Sequence, residues 1–416
     1  MLNWSKQFNI CCFMDANGYN APYARYEALL AAGVVHSLAP AAPGPGTTAF
    51  QRLQAFHAQH PDWLFGHLGY DLKNELFPLT STHPDGIGFP DIYFFQPEVV
   101  ILVQPGLVRI GGWHYSEADA RRVYEACLRM PVTVSAVTPP RHAVQSPFPH
   151  ADYLDTVKAL QAHIHRGDCY EINFCRENFV PETELDPLAL FTRLNALSPA
   201  PFAAFYKLQD QYCCCASPER FVQQSGRTVI SQPIKGTIRR GQDAAEEARL
   251  KDLLRHSAKE RAENIMVVDL VRNDLTPAAA RGSVSVAELC GIYTFAQVHH
   301  MISTVQATLA PGMGFADVLR HAFPMGSMTG APKLRVMQLI EQYERSKRGL
   351  FSGSIGYITP EGDMDFNVVI RSMLYNAAEQ YLSFSTGSAI TFRSAPQQEW
   401  EECLLKASAM KKVLEG

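Results

Sequence analysis

The chain has 416 residues, of which 47% are hydrophobic and 19% charged, with a formal net charge of -4. That size and composition bury a large core without disulfides or a structural metal, and they exclude a basic nucleic-acid face. No apolar segment approaches the ~20 residues of a membrane span, so a cytoplasmic protein with no nucleic-acid and no membrane partner is expected. In chain order, the apolar stretch Ile10 to Met14 is too short for a signal peptide. Helical patterns fall around Tyr23 to Ala32 and Ala49 to Gln59, and strand-like runs at Trp63 to Tyr70, Ile92 to Phe95 and Val99 to Val103. Pro131, Pro139, Pro140, Pro147 and Pro149 mark 131–150 as a linker between an N-terminal α/β lobe, 1–135, and a C-terminal region, 151–416. A helix is predicted from Asp152 to His165, followed by strands and long helices with hairpins around Ser217 to Val229 and Gly353 to Ser388. Strands in runs rather than in βαβ units predict an α+β fold with antiparallel sheets.

Ten cysteines form no Cys-x-x-Cys pair, and Cys213, Cys214 and Cys215 on one strand cannot all face one metal because alternate side chains point opposite ways. They read as buried structural thiols.

Chemistry concentrates in the C-terminal region, where charged residues stand inside apolar or Gly-rich segments. Lys235 in Gln232-Pro-Ile-Lys-Gly-Thr237 precedes a turn whose Gly236 and Thr237 amides can meet an anion. To act as a nucleophile it needs its pKa pulled down, by burial or by neighbours such as Arg239 and Arg240. Glu260 and Glu263 lie three apart on a predicted helix, Lys259 to Leu275. Glu399 and Glu402 repeat the spacing near the C-terminus, with Lys406 one turn on. Such pairs fit either a solvated acidic face or an all-oxygen Mg²⁺ site with open positions for substrate. Between them Phe323-Pro-Met-Gly-Ser-Met-Thr-Gly-Ala-Pro-Lys333 leads into a helix whose start can hold a carboxylate, with Thr329 beside it. A strand from Met364 to Met373 is predicted to present Arg371 as a fork for a carboxylate, or as a structural ion pair. Glu219 in Ser217-Pro-Glu-Arg-Phe221 and His300 in His299-His300 are candidates for proton transfer, or satisfied core residues.

Taken together, SPERF, PIKGT, ENIMVVDLVRNDL, FPMGSMTGAPK, GSIGYI, FNVVIRS and the closing ExxExxxK helix resemble the chorismate-utilising enzymes, from about Asp152 to the C-terminus. WLFGHLGYDLKNELF extends the likeness more loosely into the N-terminal lobe. The resemblance implies a two-sheet antiparallel β-sandwich wrapped by helices, with the active site between the sheets. It implies Mg²⁺ held by Glu263 and Glu402 with support from Glu260 and Glu399. Arg371, Ser385, Gly387, Thr329, Lys406 and the Gly236 and Thr237 amides would hold the substrate. Lysine at 235 resembles the aminodeoxychorismate synthases rather than the anthranilate, isochorismate or salicylate synthases, which carry a small residue there. Lys235 would be the nucleophile, with Glu219 and His300 as proton-transfer groups. Glu171 in Tyr170-Glu-Ile-Asn-Phe174 stands where isochorismate-forming relatives place a water-activating lysine and aminating relatives usually glutamine. No segment resembles a glutaminase, so a separate glutamine amidotransferase subunit would supply ammonia to aminate chorismate. The nearest rival is an anthranilate synthase component. Some relatives bind tryptophan in the N-terminal lobe, near Met14-Asp-Ala-Asn-Gly-Tyr19.

Overall fold

The protein is described here by a computed structural model that covers residues 1–19, 23–38, 47–131, 137–140 and 142–415. Two large sheets organise it. The first runs in the order Gly330–Ala331, Glu171–Val180, Tyr381–Thr391, Ser372–Asn376, Gln211–Ser217, Phe202–Leu208, Ile10–Asp15, Ala28–Ala32, Val99–Gln104, Leu107–Gly112. The second runs Ile234–Arg239, Val298–Thr308, Thr228–Gln232, Arg220–Ser225, Met364–Asn367, Ser354–Ile358, Leu64–Leu68, Ile92–Gln96, His36–Leu38, with Ser285–Thr294 branching from Val298–Thr308. Neighbouring strands are antiparallel throughout. The α+β, two-sheet expectation is therefore met.

The largest apolar cluster lies between the sheets and draws Cys12, Met14 and Leu29 from one and Phe65, Phe94 and Phe366 from the other. Because strand side chains alternate, Cys11, Phe13 and Leu30 face the other way, onto the helices Pro187–Leu197 and Pro396–Leu414. Ile172 and Phe174 likewise turn outward to pack with Tyr153 and Leu160 of the His150–His165 helix. The helices thus wrap the sandwich.

Three expectations need correction. Tyr23 to Ala32 is no helix: Ala28–Ala32 is a strand with both faces covered, and so is the unpredicted Ile10–Asp15, since continuous apolar runs carry no period to separate the two states. The 131–150 stretch does not divide two independent lobes, because strands from before it are built into both sheets and into their common core. Met364 to Met373 is two strands, one in each sheet, with Arg371 in the crossover between them. Among the described residues no helix is long and apolar enough to cross a membrane.

Candidate active site

Two neighbouring crossovers build the site. The strand Gln211–Ser217 leaves the first sheet and, through Pro218 and Glu219, becomes Arg220–Ser225 of the second. Residues 368–371 make the return journey, and the two passages are tied by Val368 N–H donating to the Glu219 carbonyl at 3.0 Å and Ala216 N–H to the Arg371 carbonyl at 3.2 Å. Arg371 turns with φ +52°. The buried bidentate pair Arg220–Asp365, at 2.9 and 3.1 Å, anchors the chain directly after Glu219.

Beside these crossovers, between the sheets, is a cavity of about 590 Å³. Every site residue expected from the sequence lines it except Thr329. Thr329 is fully buried and spends its hydroxyl on the Met325 carbonyl, so it does not meet a ligand; Ser327 and Met328 face the cavity instead. The helix start at Lys333 is also absent from the lining, and Lys333 is paired with Asp274 at 2.7 Å, so the expected anion site at that helix end is not formed. Asn173, Lys259 and Ala389 line the cavity without having been singled out. Lys259 had a signal, one helical turn before Glu263.

Lys235 reaches the cavity through a bulge. Pairing with Val298–Thr308 steps from Ile234↔Ile302 to Thr237↔His300, so one extra residue is inserted at Lys235-Gly236. Gly236 has φ +96°, which favours glycine, and a Cβ there would also crowd Glu260 Oε2 at 3.1 Å. The Lys235 ammonium is held by Glu171 Oε1 at 2.7 Å, with side chains 12% and 2% exposed. Burial favours the neutral amine, but Glu171, then Glu263 and Glu402, outweigh it and raise the lysine pKa. This reverses the expected depression. Arg239 and Arg240 do not act on Lys235 as expected, since they are engaged by Glu246 and Glu247 at 2.5 and 2.8 Å.

Glu219 and His300 are both buried, and burial holds each towards its neutral form. Burial lifts the Glu219 carboxyl to about 7, against the opposing hydrogen bond from Ser327 and the charge of Lys235. Burial, then the charges of Arg371 and Lys406, push His300 down to about 3, so its imidazole is neutral, with Nδ1 at 2.8 Å from Thr237 Oγ1. The folded protein keeps the Glu219 proton to about pH 7, whereas an unfolded chain releases it near ~4.3. Its contribution to stability is therefore full below the unfolded value and lost as pH rises to 7. Glu219→Gln removes that loss: calorimetry should find it melting with the wild type at about pH 4 and above it at about pH 8, by an amount on the order of 2–4 kcal/mol. A difference independent of pH would refute the assignment.

The expected carboxylate pairs both face the cavity, Glu260 and Glu263 from Ala258–Leu275 and Glu399 and Glu402 from Pro396–Leu414, where Glu401 joins them at the lining. Burial raises the pKa of Glu260 and Glu399, and lifts Glu263 to about 7. Glu402 goes the other way because Lys406, at 2.6 Å, outweighs its burial. Among the described residues no three His, Cys, Asp or Glu side chains close into a metal-holding group, and lysines stand in: Lys406 on Glu402, and Lys259 3.9 Å from Glu263. The donor set still fits a hard divalent cation, being all oxygen, with Glu263 Oε1 buried and without a hydrogen-bond partner. On the far side Arg371 has no acceptor among the described residues, and burial lowers its pKa. Gly387 is glycine because Cys175 packs against it, a Cβ there striking Cys175 Sγ at 2.5 Å, and its carbonyl accepts from Lys406 at 2.7 Å.

Of the Met14 to Tyr19 segment, Asp15 and Asn17 are tied to Asn195, and Tyr19 lines a second cavity of about 210 Å³ with Phe202 and Phe295.

The two-sheet fold thus gathers a buried carboxyl, an imidazole, an amine and a guanidinium around one cavity, the arrangement of a small-molecule enzyme site. The chain belongs to the chorismate binding enzyme family, which it matches over residues 27–412. It is 36% identical to aminodeoxychorismate synthase component 1 of Salmonella typhimurium, over 87% of this chain and 80% of that one. It is 34% identical to anthranilate synthase component 1 of Thermus thermophilus, over 89% and 82%. The crystal structure of anthranilate synthase component I from Streptococcus pneumoniae superimposes with a TM-score of 0.74 at 27% identity, covering 83% of this chain and 80% of that one.

Proposed function

We propose that this chain is the chorismate-aminating component of an aminodeoxychorismate synthase, a Mg²⁺-dependent transferase that converts chorismate and ammonia to 4-amino-4-deoxychorismate on the route to p-aminobenzoate and folate. The observation that carries the reading is Lys235, placed by the Gly236 bulge inside the cavity that also holds Arg371, Glu219 and His300. Overall identity does not choose between the aminodeoxychorismate and anthranilate synthases, at 36% and 34%. A buried lysine in the reaction chamber does.

Chorismate carries two carboxylates. Arg371, free of protein acceptors among the described residues, suits one of them as a planar fork. Glu263 and Glu402, supported by Glu260 and Glu399, would hold Mg²⁺, which supplies charge neutralisation for the other. Lys235, once it sheds a proton, adds at ring C2 as the C4 hydroxyl departs. Glu219, which retains its proton to about pH 7, protonates that hydroxyl and is recharged by the proton Lys235 has shed. Ammonia then forms the bond to C4 and expels the lysine. Neutral His300, hydrogen-bonded through Thr237, accepts a proton from the new amine. The partner is a glutamine amidotransferase, in keeping with relatives named as component 1.

The test is a product assay by chromatography and mass with chorismate, Mg²⁺ and an ammonium salt. Aminodeoxychorismate is expected. Anthranilate would favour the reading suggested by the Thermus relative, and isochorismate would make water the nucleophile.

A further inference from the structure

Glu171 was left without a role by the chemistry above, and its position gives it one. It begins the strand Glu171–Val180, whose inward-facing side chains are Glu171, Asn173 and Cys175, while Ile172 and Phe174 turn outward. Opposite Asn173 on the paired strand stands Ala389, and both line the cavity, so the strand that begins at Glu171 borders the chamber that holds Lys235. Glu171 Oε1 holds Lys235, but Oε2 is buried and has no hydrogen-bond partner, and the side chain is 2% exposed. A buried carboxylate oxygen without a donor is costly, and a small N–H donor reaching it would relieve that cost.

We propose that Glu171 is the receiving site for the nitrogen substrate: Oε2 binds the incoming ammonium ion beside Lys235 and takes one of its protons. This rests on the amination reading. The proton shed by Lys235 on attack leaves in the water formed from the C4 hydroxyl, so Glu171 meets the ammonium as a carboxylate. An ammonium N–H bond breaks and a Glu171 O–H bond forms. The ammonia released uses its lone pair to make the C4–N bond while the bond from C2 to the cationic lysine nitrogen breaks. Lys235 departs as a neutral amine and takes the Glu171 proton, which restores the ion pair at 2.7 Å. The same ammonium chemistry serves free ammonium and nitrogen delivered by a partner.

The experiment varies ammonium chloride at saturating chorismate, and then chorismate at saturating ammonium, across a pH series for the wild type, Glu171→Gln and Glu171→Asp. Glu171→Gln keeps the shape and loses the charge. Its KM for ammonium is expected to rise ~10-fold or more, the loss of one charge-assisted hydrogen bond, with the KM for chorismate little changed. Its rate should climb with the free-ammonia fraction as pH rises, more steeply than the wild type's. Glu171→Asp, which keeps the charge, should recover part of the ammonium affinity. The proposal falls if Glu171→Gln matches the wild type in ammonium KM and pH dependence, or if Glu171→Asp is as impaired as Glu171→Gln. A wild type that forms no aminated product overturns the amination reading instead.

Discussion

Lys235→Ala is expected to lower aminodeoxychorismate formation by ~10³-fold or more, because removing a covalent nucleophile removes the route itself and leaves only binding and electrostatic help. Alanine also strands Glu171 as a buried, unpaired carboxylate 2% exposed, a loss that costs about 3–5 kcal/mol when a buried pair is broken. Low activity in that variant could then reflect a damaged site. Lys235→Arg separates the two effects, since a guanidinium keeps the charge and the partner but, with a pKa above ~12, cannot supply a neutral amine. The arginine variant should melt near the wild type, bind chorismate, and be as inactive as the alanine variant. Mass spectrometry of wild type incubated with chorismate and no ammonia should find the adduct on the peptide containing Lys235. If either variant retained more than about a tenth of the wild-type rate, a covalent lysine would be untenable.

What could be read from the sequence follows from which physics is local. The Glu260–Glu263 and Glu399–Glu402 spacings lie within single helices, and helical geometry alone puts each pair on one face, so both pairs arrive in the cavity as expected. Arg371 was found for the wrong reason. A strand reading from Met364 to Met373 presented it, whereas the chain leaves one sheet after Asn367 and enters the other at Ser372, turning through a positive φ at Arg371. Nothing in the alternation announces a change of sheet. The bulge at Gly236 and the Glu171–Lys235 pair have the same origin in contacts between distant strands, and the pair spans 64 residues of sequence. Arg239 and Arg240 looked like neighbours able to acidify Lys235, but strand alternation and their acidic partners on the Ala244–His256 helix take them elsewhere. Thr329 was placed by its Gly-rich surroundings, and the tight turn that those residues make consumes its hydroxyl internally.

The second large effect concerns the cation. The two helical carboxylate pairs share one cavity, and Glu260, Glu263 and Glu399 have pKa values raised by burial, which measures the work of keeping their charges there. Mg²⁺ would relieve that cost, so two signs are expected. The wild type should gain thermal stability as Mg²⁺ is added, by RT ln(1 + [Mg²⁺]/Kd), about 2.7 kcal/mol at a hundredfold excess over Kd. Glu263→Ala, which deletes the buried oxygen that has no hydrogen-bond partner, should lose that gain and fall at least ~100-fold in Mg²⁺-dependent turnover. Glu402→Ala should do the same and also release Lys406, whose ammonium lies 2.6 Å from Glu402 and 2.7 Å from the Gly387 carbonyl. In the absence of metal the order inverts: removing Glu263 also removes a charge repelled by Glu171 and Glu260, so the metal-free alanine variant should be no less stable than metal-free wild type. A Glu263→Ala protein that still gained stability from Mg²⁺ and kept its turnover would place the cation elsewhere, and one that lost activity without any change in the Mg²⁺ response would make Glu263 a substrate contact rather than a ligand.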